Sequence, residues 1–303
     1  LGYHRYWLAE HHNFPALASS APEIMIGQVA AATKTLRVGA GGVMLPNHAP
    51  LKVAENFKLL EALFPGRIDL GLGRAPGTDG LTAMALRGSR EAVTEDRFPG
   101  MLGDLLCFLG GAFPDRHPWR KVEAIPAGGG MPDLWMLGSS GSTASLAAQL
   151  GLGYAFAHHI HADPAVEACR IYREQYQGTA LAPEPRVMLG VLAVAAGTDE
   201  EAAELARPVE LVRLRLRQGR KAVYPSPEEA RAFIPTAEEA AVLEENRRRM
   251  FVGSVERVKE GLLDLAARCG ADELMVLTIT HDHRDRVRSY EGLARAFGLQ
   301  PRA

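Results

Sequence analysis

The sequence predicts an α/β fold, a (β/α)8 TIM-type barrel, from three observations. Short apolar stretches alternate with amphipathic helical patterns along most of the chain, which is typical of a parallel sheet covered by helices. The length of 303 residues suits one large barrel. Polar or glycine-rich segments follow several of the apolar stretches, where the strands of a barrel carry their functional loops.

The alternation places seven strands and seven helical regions along the chain. The strands are expected at about residues 3–9, 36–43, 67–72, 134–137, 154–157, 187–195 and 274–278. The helices are expected at about residues 20–33, from 50, near 90–109, 142–150, 164–176, from 199, and 285–297. A capping box formed by Ser20 and Glu23, with Pro22 at the first helical position, should begin the first of these helices.

A closed barrel of this class has eight strands, one more than the pattern supplies. We therefore expect the first strand and helix to precede Leu1. The rest is predicted to form a single domain, residues 1–303, because no Pro/Gly/Ser-rich linker divides it. A proline-containing stretch at about residues 207–250 predicts a helical insertion before the last strand.

Composition narrows the class of function. Lysine and arginine number 34, and aspartate and glutamate 36, so the formal net charge of −2 predicts neither nucleic-acid nor anionic-membrane binding. No apolar run reaches the ~18 residues of a membrane span. The three cysteines are widely spaced and odd in number, which argues against a disulfide framework and favours a reducing cytoplasm.

Arg74 follows the third predicted strand within a glycine-rich segment, residues 71–77. A dinucleotide-binding fingerprint would need glycine where Pro76 stands, so that interpretation fails. Arginine at the end of a barrel strand is suited to bidentate binding of a phosphate. A surface ion pair is the alternative.

A second candidate phosphate site is the loop formed by Gly138, Ser139, Ser140, Gly141, Ser142 and Thr143. These residues follow a predicted strand and begin a helix. Small residues allow close approach of a ligand, and the N–H groups of a helix N-terminus bind anions. An ordinary helix N-cap would explain one serine but not the whole group.

Histidines cluster at two strand ends. His11 and His12 follow the first strand, and His158, His159 and His161 follow the fifth. Five such histidines allow a metal-dependent hydrolase as an alternative, with a carboxylate such as that of Asp282 completing the ligand set. The His-x-His spacing expected on an early strand of such enzymes is missing.

The second strand contains Gly39, Gly41 and Gly42, and glycine weakens a strand. One interpretation is tight packing against a bulky neighbour. The other is a flat ligand that lies against bare backbone.

Taken together, these motifs resemble the bacterial luciferase-like monooxygenases. The matching segments keep the family's order and lie at residues 6–14, 33–39, 43–50, 66–74 and 147–151. The resemblance covers most of the chain and is weakest between residues 207 and 250. It implies that FMN is bound, with its phosphate held by Arg74 and by the loop around Ser140. It also implies that a non-proline cis peptide supports the flavin ring at Gly41 and Gly42, and that His11 is the active-site histidine.

The resemblance further implies the reaction and the partners. FMN is reduced by NAD(P)H, often through a separate reductase, and then reacts with O2 to oxidise a small substrate such as an aldehyde or ketone. His11 would act as a general base or hydrogen-bond partner. A homodimer is expected from the family.

The chain departs from the light-emitting luciferases at several positions. Gly73 replaces a cysteine, and Gly41 and Gly42 replace methyl-bearing residues, so light emission does not follow from the resemblance. An F420-dependent hydride transferase on the same fold and a non-catalytic flavin-binding protein remain alternatives.

Overall fold

The computed structural model describes residues 1–179, 182–220 and 223–301. Contacts divide these residues into two compact units. The N-terminal unit consists of residues 4–137. The C-terminal unit consists of residues 1–3 together with the described residues from 138 onward.

Parallel strands and covering helices make up the N-terminal unit. Its strands are β1 (Arg5–Leu8), β2 (Arg37–Met44), β3 (Ile68–Gly73) and β4 (Asp133–Gly138), which ends at the boundary. Its helices are α1 (Pro22–Ala31), α2 (Pro50–Leu63), α3 (Gly80–Arg87), α4 (Glu91–Thr94) and α5 (Phe98–Gly110), and a 3₁₀ turn covers Leu45–Asn47. The strands pair in parallel in the order β1-β2-β3-β4, and the β2–β3 register shifts between Ala40 and Val43.

Burial explains the positions of these elements. All six residues of β3 are buried, as expected for a strand of a parallel sheet covered on both faces. Helix α2 buries Ala54, Phe57 and Leu60, three members of the apolar face that the spacing predicts. The predicted capping box at Ser20 and Glu23 is wrong, because Ala21 is the N-cap and no side chain caps α1. Pro22 does occupy the first turn, where its missing N–H costs no hydrogen bond.

The C-terminal unit is built around one long central strand. Its strands are β5 (Gly153–Ala157), β6 (Val187–Ala196), β7 (Met250–Ser254) and β8 (Glu273–Leu277). Its helices are α6 (Gly141–Gln149), α7 (Ala165–Gln175), α8 (Asp199–Arg217), α9 (Pro227–Ala232), α10 (Ala237–Arg247), α11 (Val255–Cys269) and α12 (His283–Ala296). Strands β5, β7 and β8 all pair with β6 in parallel.

The alternation of strands and helices that the sequence predicts is confirmed, and the structure adds strand β7 and helices α3 and α11. All seven predicted strands are present, and β7 is an eighth, which begins at Met250, where the stretch assigned to the insertion ends. Helix α11 was also missed. The predicted insertion is helical, but Pro208 lies inside α8 and does not interrupt it. Because eight strands are described, the strand count no longer gives a reason to expect a strand and helix before Leu1; that expectation and a single domain stay predictions.

Within the described ranges, no helix combines the length and apolar character needed to cross a membrane. The three cysteines are free thiols.

A buried carboxylate joins the strands of the N-terminal unit. Asp69 on β3 is fully buried, and its carboxylate accepts hydrogen bonds from Arg5 Nη1 at 2.8 Å and Trp7 Nε1 at 2.8 Å. It also accepts from Arg37 Nε at 2.9 Å and Nη2 at 2.6 Å. A buried charge is tolerated only with such partners, so this network ties β1, β2 and β3 to one another.

Asp69→Ala is expected to destabilise the protein by about 3–5 kcal/mol, because two arginines and an indole N–H lose their hydrogen bonds to this carboxylate and the arginines keep the longer contacts with Asp133, at 3.6 and 3.7 Å. Urea denaturation followed by circular dichroism measures this loss. Asp115→Ala is the matched control, since that carboxylate is 91% exposed in its ion pair with Arg120. Equal unfolding midpoints for the two variants would show that the network does not stabilise the fold.

Candidate active site

The diglycine of β2 is tightly enclosed by protein. The Gly41–Gly42 peptide bond is cis. A methyl group on Gly41 would lie 2.7 Å from Cε3 of the Trp7 ring, and one on Gly42 would lie 2.8 Å from the carbonyl oxygen of Gly71 and 3.2 Å from Leu137 Cδ2. Neighbouring backbone and side chains therefore account for glycine at both positions, as the tight-packing interpretation expects. A ligand against this strand would have to lie on another side of the backbone.

His11 lies in the loop after β1, partly buried. Its backbone N–H donates to Ser19 O at 2.9 Å, and its ring Nδ1 is 3.2 Å from the carbonyl oxygen of Gly77. Because a carbonyl oxygen only accepts, Nδ1 carries the proton in this contact and Nε2 retains the lone pair. The ring centroid lies 6.3 Å from that of Phe14. The imidazole is thus oriented with one basic nitrogen available.

Glu10 precedes His11 and forms a cluster that the sequence does not reveal. Its side chain is 1% exposed, and it accepts hydrogen bonds at 2.8 Å from His12 Nε2, from His48 Nε2 and from the backbone N–H of Met44. Asn47 Nδ2 lies further away, at 3.5 Å. Residues 10–12 and 44–48 are therefore joined through one carboxylate.

Glu10 and His48 shift each other's pKa. Burial alone would raise the pKa of Glu10, but the hydrogen bonds from His48, His12 and Met44 leave that pKa lowered. The hydrogen bond to Glu10 raises the pKa of His48 despite burial, and Glu23 raises it further. Glu10 and His48, whose Oε1 and Nε2 are 2.8 Å apart, therefore each favour the charged form of the other.

Arg74 begins the loop after β3, as predicted, and its side chain is exposed. Its nearest ion-pair partner is Asp96, with Nη1 4.0 Å from Oδ2 and both side chains 63% exposed. A contact of that length between exposed groups contributes little. The guanidinium is therefore available to a ligand, and the ion-pair alternative receives little support.

The predicted phosphate loop forms the junction between β4 and α6. Gly138 ends β4, Ser139 and Ser140 follow, and Gly141, Ser142 and Thr143 begin α6. Ser140 occupies the N-cap position, yet its hydroxyl makes no capping bond. It contacts the hydroxyls of Ser142 at 3.0 Å and Thr143 at 3.4 Å instead. The ordinary N-cap explanation therefore does not account for this serine.

The histidines at the end of β5 have separate structural contacts. The ring of His158 is 5% exposed and packs on Phe251 with centroids 5.6 Å apart, and burial lowers its pKa to about 4. His159 Nδ1 is 2.8 Å from Gly190 O. Asp282, the proposed carboxylate ligand, caps α12 by accepting from Arg284 N. In the described part of the chain, no three His, Cys, Asp or Glu residues are arranged to hold a metal ion.

The predicted site residues are distributed over both units. Gly77 brings part of the N-terminal group together, because it contacts the His11 ring and lies against the backbone of Glu10 and the side chain of Met44. Arg74 also belongs to the N-terminal unit, whereas the loop around Ser140 belongs to the C-terminal unit. That both bind one phosphate stays a prediction.

Comparison with known proteins identifies the family. The family model for luciferase-like monooxygenases matches residues 1–273. A luciferase-like monooxygenase of Escherichia coli K12 is 40% identical over 96% of this chain and 85% of its own length. An N-acetyl-S-alkylcysteine monooxygenase of Bacillus subtilis is 34% identical over 97% of this chain and 88% of its own. The crystal structure of apo-MsnO8 matches with a TM-score of 0.88 and 41% identity, over 99% of this chain and 88% of that one.

The chain therefore belongs to the luciferase-like monooxygenase family, and its class is that of an oxidoreductase. The resemblance noted from the sequence motifs is confirmed, and so is the parallel α/β fold of that family.

The low pKa of His158 gives a prediction for acid stability. The unfolded state binds a proton near pH 6.5 and the folded state only near pH 4, so stability falls as the pH drops between these values. The loss is on the order of 3 kcal/mol from this residue. His158→Phe should remove this component from the pH dependence of the unfolding midpoint, whereas His161→Phe, at an exposed neighbouring position, should keep it. Parallel curves for wild type and His158→Phe would contradict a buried neutral His158.

Proposed function

We propose that the protein is a flavin-dependent monooxygenase that uses reduced FMN and O2 to oxidise a small organic substrate. Membership of the luciferase-like family carries this proposal. We further propose that the chain forms the (β/α)8 barrel of that family, that it acts in the cytoplasm as a homodimer, and that a separate NAD(P)H:flavin reductase supplies its reduced flavin.

The phosphate of FMN has two candidate binding surfaces, one in each unit. Arg74 offers an exposed guanidinium with only a 4.0 Å partner, which suits bidentate binding of a phosphate. The loop around Ser140 offers hydroxyls that are not used for capping at the start of a helix, where backbone N–H groups favour an anion. Both observations fit a phosphomonoester, and each surface is testable by itself.

Reduced FMN, when bound, supplies the electrons that activate O2. The chain would support the ring with the diglycine of β2, and His11 would hold or accept a proton through Nε2. Because Nδ1 donates to Gly77 O, the lone pair of the His11 ring lies on Nε2. Imidazole is the side chain best suited to proton transfer around neutral pH.

The substrate proposal is limited to its chemical class. Aldehydes and ketones are the substrates that the family resemblance implies. The relative from Bacillus subtilis, by its name, oxidises an N-acetyl-S-alkylcysteine, which contains a thioether. We propose that the substrate is a small molecule with a carbonyl or thioether group that accepts one oxygen atom.

Cofactor titration and oxygen incorporation test this function together. The purified protein is titrated with FMN, reduced FMN and F420, and turnover of an aldehyde, ketone and thioether panel is measured under 18O2. Binding of reduced FMN with one labelled oxygen in a product supports the proposal. Exclusive binding of F420 with oxygen-independent hydride transfer would replace it. Flavin binding without turnover of any compound would favour a non-catalytic flavin-binding protein.

Arg74→Ala is expected to weaken FMN binding by about 1.5–3 kcal/mol, or roughly 10- to 150-fold, through loss of a charge-assisted contact to the phosphate. Fluorescence titration measures the affinity, and riboflavin, which lacks the phosphate, should bind wild type and variant alike. Arg120→Ala is the control, since that arginine is 57% exposed in an ion pair with Asp115. Unchanged FMN affinity in Arg74→Ala would remove this residue from the site.

His11→Ala is expected to leave FMN affinity within a few-fold of wild type and to lower kcat by about 100- to 10,000-fold, the usual contribution of a positioned acid or base. His161→Ala serves as the control at an exposed histidine. Steady-state kinetics with the best substrate of the panel provide the measurement. Equal kcat values for His11→Ala and wild type would exclude a catalytic role for this imidazole.

A further inference from the structure

Glu10 is a buried carboxylate for which the proposed function has no use. It is 1% exposed and lies between the catalytic candidate His11 and strand β1. Burial of an ionised carboxylate is costly unless hydrogen-bond donors compensate it. Three donors at 2.8 Å do so here, and two of them, from Met44 and His48, are more than 30 residues away in sequence.

The hydrogen bonds fix the protonation of the two histidines. An ionised carboxylate only accepts, so His12 and His48 both carry a proton on Nε2, the nitrogen that contacts Glu10.

Other charged groups around the pair are few among the described contacts. Glu23 on α1 raises the pKa of His48, in the same direction as Glu10. On α3, Arg87 Nε donates to Asn47 Oδ1 at 2.9 Å, and Asn47 Nδ2 donates to Pro76 O at 2.9 Å. No arginine or lysine of the described residues makes an ion pair with Glu10, so its balancing charge comes from histidine, a side chain that can gain or lose its proton.

The carboxylate of Glu10 also links two parts of the candidate site in the N-terminal unit, the His11 loop and the end of β2. Through Met44 N–H it holds the end of β2, two residues beyond Gly42. Through its backbone it places His11, whose ring bonds to Gly77 O. The backbone N–H of His12 also donates to that oxygen, at 3.2 Å. Loss of the carboxylate charge would loosen both attachments at once.

We propose that Glu10 is a positioning residue, whose ion pair with His48 holds the His11 loop against the end of β2 and makes the geometry of the site depend on the protonation of His48. The effect on turnover rests on the proposed function. The effect on the histidines does not, and it can be measured without any cofactor.

The test compares wild type with Glu10→Gln, which preserves shape and removes the charge, and with His48→Gln, whose amide can still donate to Glu10. Glu61→Gln is the matched control, because Glu61 is another buried carboxylate of the same unit, at 4% exposure. The ring carbons and nitrogens of the histidines are followed by NMR from pH 5 to 9, and the spectrum of His48→Gln assigns the His48 signals.

In Glu10→Gln, the titration of His48 is expected to move to lower pH, and the 15N signals of His11 should lose the Nδ1–H form that the Gly77 contact imposes. In Glu61→Gln both should match wild type. An unmoved His48 titration, or an unchanged His11 tautomer, overturns the proposal. If Glu10→Gln does not fold, His48→Gln is used in its place. Loss of the His11 Nδ1–H form in that variant supports the proposal, and an unchanged His11 tautomer overturns it.

Kinetics supply the second readout. Glu10→Gln should lower kcat by about 10- to 100-fold through misplacement of His11, with KM changed less than threefold. The kcat–pH profile of Glu10→Gln should shift to lower pH, as the His48 titration does. In His48→Gln, the part of the profile that follows the ionisation of His48 should be absent. Profiles that superimpose on wild type overturn the positioning role. A wild-type protein that neither binds FMN nor turns over any substrate contradicts the proposed function alone, since the NMR outcomes stand independently.

Discussion

The N-terminal unit depends on the buried carboxylate of Asp69. The strand register places Trp7, Gly39, Asp69 and Asp133 in one row across β1 to β4, so the carboxylate faces its donors only in this pairing. A shift by one residue would turn Asp69 to the opposite face and leave Arg5 and Arg37 without their acceptor. Burial of unpaired charges on that scale would cost more than an ordinary strand pairing contributes. The network thereby specifies the register and also stabilises it.

That register extends to the candidate site. Asp69 fixes the indole of Trp7 through Nε1, and the ring of Trp7 then fills the space where a side chain on Gly41 would lie. On the next residue, the carbonyl of Gly71 on β3 excludes a side chain from Gly42. The two glycines are thus a consequence of how β1 and β3 pack against β2. Their flavin-supporting role is compatible with this, but it does not follow from the missing side chains alone.

Local patterns of the sequence predicted much of the fold and less of the site. Strands and helices with strong apolar periodicity, such as β3, β6 and α2, are encoded by neighbouring residues and were found within a few positions. The capping box at Ser20 is wrong because α1 begins one residue later than that motif requires, with Ala21 as the N-cap and Pro22 as the first helical residue. Strand β7 was not predicted because it begins at the end of the stretch assigned to the insertion and has only two buried residues, so it shows no continuous apolar run.

Contacts between residues far apart in the sequence could not be predicted from local patterns. Glu10 could be recognised as polar, but nothing local shows that a histidine 38 residues away contacts it. The partners of Asp69 could not be predicted either, since they lie on two earlier strands. A charged residue inside an otherwise apolar predicted strand is the one signal that was present, because a buried charge requires partners. Applied to residues 67–72, that rule marks Asp69 as a residue that needs partners, without identifying them.

The two buried carboxylates differ in what their partners can do. Asp69 is paired with arginines, which stay charged at every physiological pH. Glu10 is paired with His48. Its lowered pKa means that its stabilising contribution is lost only when the pH falls through that folded-state value, whereas the raised pKa of His48 means that its contribution is lost as the pH rises through its own. The ion pair therefore persists across the interval between them, wider than for an isolated glutamate and histidine. The Asp69 network holds the strands with permanent charges, whereas the Glu10 network at the strand ends can change its protonation. Different residues therefore provide the rigid scaffold and the proton that can move.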